Sequence, residues 1–360
     1  MLLARAIAAY DPQAQFEGIG AERMRSDGFT LWRNHTGWAS MGPLAAIPRI
    51  PPLLLTMWRT AAYLAAEQPE LIVLVDFGAF NMRLAKELRT RLHYTGPIMY
   101  LFPPATWLDK EGVASAVGAM TVPVTAFAHQ YEFYKSLRLP IMFFGHPLAS
   151  QYELRPARPA PPLDGGTIAL LPGSRGGELK YHVPALLAAL KILRVRRPKL
   201  RAVFGAANRQ GERMIARALR RERVEDVTIA HGVADAVRDA DGAFVASGTA
   251  VLEAVLAGVP TIAVYIVNPI VVGYGRRMQK KIFKASYITL PNLVLERELV
   301  PEFLQDDATP EALAAAMEAV LLDPSQQYEQ FAQVRERLGP ASALDDCAKF
   351  AVALAKAGGG

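Results

Sequence analysis

The 360-residue sequence predicts an α/β protein built from two parallel-sheet halves. Short apolar runs alternate with amphipathic helical stretches along most of the chain, which is typical of repeated βα units. The alternation is interrupted by the proline-rich segment QYELRPARPAPPLDGG, residues 151–166, whose composition favours extended chain and turns. Because the alternation then starts again, we interpret this segment as a linker between two domains that face a cleft.

The predicted elements follow in order on each side of the linker. In the first domain, residues 1–150, the runs that predict strands are LIVLVDFG (71–78), PIMYLFP (97–103), MTVPVTAF (120–127) and PIMFFGHPL (140–148). In the second domain, residues 167–335, they are TIALLPGS (167–174), LRAVFGA (200–206), VTIAHG (227–232), the middle of DAVRDADGAFVASGTAVLEAVLAG (235–258), and TIAVYIV (261–267). Residues 336–360 predict a final helix and tail.

Composition narrows the classes of ligand. The formal net charge of +6 suits phosphorylated ligands or an anionic membrane surface. The chain has no helix-turn-helix, zinc-finger or arginine-rich-tail pattern, so we expect no nucleic-acid partner.

A single cysteine, Cys347, excludes an internal disulfide, and the six histidines have no zinc-site spacing. We therefore expect no zinc site, and we also expect no cofactor. No apolar run is long enough to span a bilayer, and no signal peptide is recognisable.

The stretch LLPGSRGGEL, residues 170–179, predicts an anion site. A strand, a Gly173-Ser174 turn and a helix would direct several main-chain N–H groups at one point, where the helix dipole adds positive potential. Arg175 could then donate to phosphate oxygens. The pattern is neither GxxxxGK[ST] nor GxGxxG. The alternative is a tight turn with a solvated Arg175.

A second stretch, FVASGTAVLEAVLAG (244–258), repeats this arrangement. Ser247, Gly248, Thr249 and Ala250 would present N–H and hydroxyl groups at a helix start, and Glu253 could accept a hydrogen bond from a ribose or sugar hydroxyl. The alternative for Glu253 is an acid that only stabilises its own helix dipole. Two such turns in one domain suggest a nucleoside diphosphate bound across the carboxyl edge of the sheet.

Asp76 is the candidate general base. It follows an apolar strand in VDFGAFN, and ligand-binding groups of open α/β sheets lie at the carboxyl ends of strands. The alternative is a turn or helix N-cap aspartate.

Residues 41–66, MGPLAAIPRIPPLLLTMWRTAAYLAA, are the candidate membrane contact. The segment is apolar, carries Trp58, and has Arg49 and Arg59 as its only charges. At a membrane surface, the arginines would contact lipid phosphates and the aromatic side chains would lie at the interface. The alternative is a buried helix.

Taken together, the motifs resemble the lipid-A-disaccharide synthase family. The resemblance is carried by LLPGSRGGEL, VASGTAVLEAVLAGVPTIAVY and YITLPNLVLERELVPEFLQDDATPEAL, and more loosely by VDFGAFNMRLAKEL and FFGHPL. It implies two Rossmann-like domains in the GT-B architecture. It also implies metal-independent, inverting transfer of diacylglucosamine from UDP-2,3-diacylglucosamine to lipid X, at the inner face of the cytoplasmic membrane. A homodimer is compatible with it.

The resemblance also implies roles for individual residues. Asp76 corresponds to the strand-end aspartate, Arg175 to the phosphate-binding arginine, and Glu253 to the helix glutamate. Three further residues are implied to bind substrate: His146 of the GHP turn, Asn292 of TLPN and Gln305 of VPEFLQ.

Two departures from the family pattern lie in the first domain. The chain starts inside the helix that follows the family's first strand and GExSGD turn, so we expect that strand to be lacking. The family's SPSVWAWR segment appears as FPPATWLDK, residues 102–110, with Trp107. These changes keep three alternatives open: a UDP-sugar transferase with another acceptor, a non-catalytic nucleotide-sugar-binding relative and, more distantly, an epimerase of UDP-N-acetylglucosamine.

Overall fold

The computed structural model describes residues 2–20, 24–25, 28–34, 50–106, 108–266 and 287–358. Arg49 and Trp107 lie outside the described residues. The chain divides into two compact units, Met1–Ser150 with Leu338–Gly360, and Gln151–Arg337. Both contain parallel strands connected by helices, which confirms the α/β prediction.

The first unit contains a four-stranded parallel sheet in the order β3-β4-β5-β6 and a separate parallel pair, β1-β2. Its strands are β1 Glu17–Gly20, β2 Thr30–Asn34, β3 Ile72–Val75, β4 Ile98–Leu101, β5 Val122–Thr125 and β6 Met142–Phe143. Its helices are α1 Leu2–Tyr10, α2 Ile50–Glu67, α3 Gly78–Thr90, α4 Glu111–Met120 and α5 Ala128–Ser136.

The core of the first unit explains why the β4 sequence, IMYL, is continuously apolar. Ile98, Met99 and Tyr100 are all fully buried, because helices cover both faces of this inner strand. The C-terminal helix Ala343–Gly358 also belongs to this unit, and its Cys347 and Ala351 are buried in a cluster with Met99. Cys347 is thus a core residue.

The second unit is built on a six-stranded parallel sheet in the order β12-β11-β10-β7-β8-β9. Its strands are β7 Thr167–Leu171, β8 Arg201–Ala206, β9 Val227–His231, β10 Gly242–Ala246, β11 Thr261–Tyr265 and β12 Glu302–Leu304. Its helices are α6 Gly176–Arg196, α7 Arg209–Glu222, α8 Gly232–Val237, α9 Thr249–Leu256, α10 Leu290–Leu295, α11 Pro310–Leu322 and α12 Ser325–Arg337; the C-terminal helix is α13.

The strand order of the second unit creates a topological switch point between β7 and β10. From β7 the chain winds through β8 to β9 at one edge, and then crosses back to place β10 on the other side of β7. Leu171 pairs with Val245 near the carboxyl ends of these two strands. Ligands of open α/β sheets bind in the crevice that such a reversal leaves at the carboxyl ends.

The linker is fixed to the second unit by a buried guanidinium. Arg197 is 0% exposed, and its Nε lies 3.1 Å from the carboxylate oxygens of Glu318 on α11. Its Nη1 donates to the carbonyl oxygens of Pro162 (2.9 Å) and Gly165 (3.2 Å). The second half of the linker is therefore bound to the same domain as the predicted anion turns.

Replacing Arg197 is expected to destabilise the protein strongly. Arg197→Ala should lower the free energy of unfolding by about 3–5 kcal/mol, because it leaves a carboxylate and two carbonyls without their donor. Urea unfolding followed by circular dichroism measures the change. Arg196→Ala removes the same charge from the preceding, exposed position and should cost under about 0.5 kcal/mol. Equal effects of the two substitutions would contradict this account.

Candidate functional site

The two predicted anion turns lie side by side at the switch point of the second unit. One connects β7 to α6, and the other connects β10 to α9. The first turn needs glycine at position 173, where φ is +102° and a Cβ would lie 2.5 Å from Glu178 Oε2 and 3.4 Å from Ala246 Cβ. The positive φ favours glycine at this position, and a Cβ there would displace the Glu178 carboxylate from the turn.

Glu178 already occupies part of the first turn. Its Oε2 accepts hydrogen bonds from the main-chain N–H groups of Ser174 and Arg175, both at 3.2 Å, and its Oε1 lies 2.7 Å from Arg175 Nη1. Sequence reasoning missed this residue, although a glutamate at the third helical position is a common signal for such a cap. The amides of Ser174 and Arg175 are therefore satisfied within the fold.

Other donors of the first turn remain available. The N–H groups of Gly176 and Gly177, which begin α6, have no partner within the described part of the chain. The Arg175 side chain is 55% exposed, so its remaining guanidinium donors can reach a ligand. The main-chain donors that a ligand could reach therefore lie one or two residues further along than the Gly173–Arg175 turn that the sequence predicted.

The second turn presents a similar set of donors. The N–H of Ser247 is used by the sheet, where it donates to the Val264 carbonyl at 3.1 Å. The N–H groups of Gly248, Thr249 and Ala250 have no partner among the described residues, and α9 begins at Thr249. Helix starts of this kind attract anions because their first N–H groups are unpaired and the dipole is positive there.

Glu253 lies one turn into α9 and is half-buried. Its Oε2 accepts a hydrogen bond from Tyr152 Oη at 2.8 Å, and burial raises the pKa of the Glu253 carboxyl. Tyr152 belongs to the linker, 101 residues away, so no local pattern could have revealed the contact.

Two further polar residues hold the first turn in place. Asn208, the N-cap of α7, donates from Nδ2 to the Ser174 carbonyl at 3.2 Å and accepts from the Gly211 N–H. His182 on α6 lies 2.8 Å from the Pro172 carbonyl through Nδ1, while its Nε2 accepts from the N–H of Ile266 at 2.8 Å. Burial lowers the pKa of His182, which suits the neutral ring that these two bonds require.

Asp76 lies at the end of β3 in the first unit, in a strained backbone conformation. Its φ is +46° and that of Phe77 is +40°, left-handed values that are costly for residues other than glycine. The strained conformation is held by two hydrogen bonds that the Asp76 main-chain carbonyl accepts, from Asn81 Nδ2 (2.7 Å) and Tyr100 Oη (2.9 Å). Strain of this type concentrates at functional sites.

The Asp76 carboxylate is exposed and has no side-chain partner among the described residues. The N-cap of α3 is Phe77, without a side-chain cap bond, so the alternative of Asp76 as an N-cap does not hold. This leaves the carboxylate available to accept a proton.

His146 is buried in the first unit between the rings of Phe102 and Phe127, at centroid distances of 6.0 and 5.4 Å. Its Nδ1 accepts a hydrogen bond from the Leu148 N–H at 3.1 Å. Burial lowers the pKa of His146 to about 4, so the ring is neutral at physiological pH.

Asn292 and Gln305 occupy different environments in the second unit. Asn292 is 0% exposed. Its Nδ2 donates to the Val300 carbonyl and Glu302 Oε1, and its Oδ1 accepts from the N–H groups of Leu299 and Val300. All its hydrogen-bonding capacity is used, which favours a positioning role over the direct substrate contact that the resemblance implied. Gln305 is partly exposed, with φ of +52° at the end of β12.

Across the described ranges, no group of three or more His, Cys, Asp or Glu side chains is arranged to hold a metal ion. A search of the same residues finds no helix with the length and apolar character needed to cross a membrane.

The His146 environment predicts a pH-dependent stability. The pKa of His146 in the folded protein, about 4, is below the ordinary value of 6.5. The contribution of neutral His146 to the free energy of unfolding is therefore complete above pH 6.5 and is lost as the pH falls towards 4. Urea unfolding across this range should show a loss of about 3 kcal/mol from this group. His146→Gln, which cannot titrate there, should reduce the slope of stability against pH; an unchanged slope would contradict the assignment.

Three comparisons relate the chain to known proteins. The model of a family described as lipid-A-disaccharide synthetase matches residues 1–349. The lipid-A-disaccharide synthase of Pseudomonas aeruginosa (strain UCBPP-PA14) is 33% identical over 347 residues, 93% of this chain and 89% of that protein. That of Azotobacter vinelandii (strain DJ) is 34% identical over 349 residues, with the same coverage of 93% and 89%.

Among solved structures, the UDP-N-acetylglucosamine 2-epimerase from Neisseria meningitidis bound to UDP-GlcNAc is similar to 94% of this chain and 100% of its own, with a TM-score of 0.57. At 10% identity this likeness concerns the fold alone. It confirms the predicted fold class of two Rossmann-like domains, the GT-B architecture.

Proposed function

Since this chain belongs to the lipid-A-disaccharide synthetase family, we propose that it transfers diacylglucosamine from UDP-2,3-diacylglucosamine to lipid X, with inversion at the anomeric carbon. Family membership makes the chain a glycosyltransferase of lipid A biosynthesis. The observation that carries the finer proposal is the pair of helix starts at the β7–β10 switch point, whose unpaired amides suit a pyrophosphate.

The second unit would bind the donor. The N–H groups of Gly176 and Gly177 and those of residues 248–250 would surround the phosphate oxygens, and Arg175 would add charge-assisted hydrogen bonds. Glu253 would accept from a ribose hydroxyl. The negative charge that develops on the departing UDP would then be stabilised by the guanidinium and the two helix dipoles, which is why we propose a reaction that does not require a metal.

The first unit would serve the acceptor. In this proposal Asp76 takes the proton of the lipid X hydroxyl, and the hydroxyl oxygen forms a bond to the anomeric carbon. The bond from that carbon to UDP breaks, and UDP leaves with the electron pair. Attack from the face opposite UDP inverts the anomeric configuration. The fixed turn around Asp76, held by Asn81 and Tyr100, supports this role because a general base must keep its geometry.

Both substrates carry acyl chains, and we further propose that α2 contacts the inner face of the cytoplasmic membrane. Leu55 and Trp58 are 45% and 48% exposed, and the neighbouring Arg59 is also exposed. These residues lie within about one turn, so they form one face with apolar side chains and a cation, as interfacial helices do.

The membrane proposal predicts a change in vesicle binding. Leu55→Ser with Trp58→Ser should reduce co-sedimentation with anionic phospholipid vesicles at least severalfold, because it removes the exposed apolar area that inserts between headgroups. Leu163→Ser and Val195→Ser provide a matched control, since both residues are exposed apolar side chains elsewhere on the chain. Equal binding by the two double variants would argue against α2 as the contact.

Transfer itself is tested by incubating the protein with UDP-2,3-diacylglucosamine and lipid X and analysing the products by mass spectrometry. The proposal predicts the tetraacyl disaccharide 1-phosphate together with equimolar UDP. UDP release with lipid X replaced by another acceptor would favour a transferase of different specificity. Binding of UDP without any turnover would favour the non-catalytic relative.

Arg175→Ala should weaken UDP binding by about 1.5–3 kcal/mol, because hydrogen bonds from a charged group to phosphate are lost. Isothermal titration calorimetry measures the change. Arg220→Ala, an exposed arginine at the far end of α7, removes the same net charge and should have little effect. An equal loss of UDP affinity in both variants would mean that Arg175 acts only through the net charge of the protein and does not contact the phosphates.

Asp76→Asn should cut turnover by about 10²- to 10⁴-fold while the affinity for UDP stays unchanged, since the amide keeps the side-chain shape but cannot accept the proton. Initial rates of disaccharide formation and calorimetry with UDP give the two readouts. Unchanged turnover would remove Asp76 from the role of general base.

A further inference from the structure

We propose that Tyr152, in the linker, is a positioning residue that orients the Glu253 carboxylate and thereby sets the selectivity of the site for a ribose-bearing nucleotide. This inference rests on the proposed function, in which Glu253 accepts from a ribose hydroxyl. It goes further by assigning part of the donor selectivity to a residue outside the Rossmann-like core of the second unit.

The contact between the two side chains is short. Tyr152 Oη donates to Glu253 Oε2 at 2.8 Å, and both residues are half-buried. The other oxygen, Oε1, accepts no hydrogen bond from the described residues. One oxygen of the carboxylate is thus fixed by the protein and the other is available to a ligand.

The path of the linker explains why Tyr152 reaches this carboxylate. Three residues later, the backbone of Arg155 packs against Gly258, where a Cβ would lie 3.1–3.3 Å from Arg155 atoms. Gly258 follows the end of α9, the helix that carries Glu253, and its φ of +69° also favours glycine. The Arg155 guanidinium donates in addition to the Val237 carbonyl at 3.2 Å. The linker is therefore held against the ends of α8 and α9.

The chemistry of a half-buried glutamate makes such a partner useful. A free glutamate side chain has several rotamers, and selecting one of them on ligand binding costs affinity. A hydrogen bond from Tyr152 restricts the side chain before the ligand arrives. It also opposes the effect of burial, which raises the pKa of Glu253, and so favours the ionised form that accepts from hydroxyl groups.

The test compares the affinities for UDP, 2′-deoxy-UDP and 3′-deoxy-UDP by calorimetry. In the unaltered protein, at least one deoxy analogue should bind roughly tenfold or more weakly, because a hydrogen bond to a charged group is lost. In Tyr152→Phe this ratio should fall by roughly two- to tenfold. In a Glu253→Gln background, Tyr152→Phe should change the ratio no further, since the tyrosine acts through the carboxylate.

A matched control is Tyr328→Phe, which removes the hydroxyl of another half-buried tyrosine beside the linker and should leave the ratio unchanged. Thermal unfolding of each variant reports any loss of linker packing separately from selectivity.

The outcomes distinguish this inference from the function on which it rests. If Tyr152→Phe weakens all three nucleotides equally, or only lowers the unfolding temperature, Tyr152 is a structural tie and the inference is wrong. If the unaltered protein binds UDP and both deoxy analogues equally, Glu253 does not contact the ribose, which overturns the inference but leaves the phosphate site standing. A protein that binds no UDP would overturn the proposed function itself.

Discussion

The unpaired main-chain amides at the carboxyl ends of β7 and β10 are the feature on which the proposed binding site of the second unit depends. They exist because two helices begin there, at Gly176 and Thr249, and the first N–H groups of a helix have no acceptor within it. They lie next to each other because the strand order reverses between these two strands. A pyrophosphate carries two adjacent negative groups, so paired helix starts suit it better than they suit a single phosphate.

Glu178 limits which of these amides a ligand can use. Its carboxylate satisfies the N–H groups of Ser174 and Arg175 and contacts the Arg175 guanidinium, so it acts as an internal anion on the inner side of the turn. Asn208 and His182 hold the same turn from neighbouring elements. The donors that remain, on Gly176 and Gly177, are therefore presented by a rigid frame, which lowers the cost of organising them when a ligand binds.

The sequence was sufficient for features that local pattern determines. Continuous apolar runs such as IALL and AFVA identified the central strands, and the glycines that follow them located both turns. Contacts between distant residues were not predictable. The bond from Tyr152 to Glu253 depends on a linker path that no local periodicity encodes, and the bracing of Ser174 by Asn208 depends on the packing of β8 beside β7. Asn292 shows that a motif shared with a family does not reveal whether a side chain is exposed. The resemblance implied a substrate contact at Asn292, and this residue has no exposed surface.

The most direct measurement of the central claim is an NMR titration of glycine-labelled protein, which follows the amide resonances of Gly176, Gly177 and Gly248. UDP should shift all three resonances, because in the proposed site these N–H groups donate to the pyrophosphate, whereas uridine, which has no phosphate, should shift none of them. If UDP binds and the three amides shift no more than they do with uridine, the phosphates are held elsewhere and the assignment of this site is wrong.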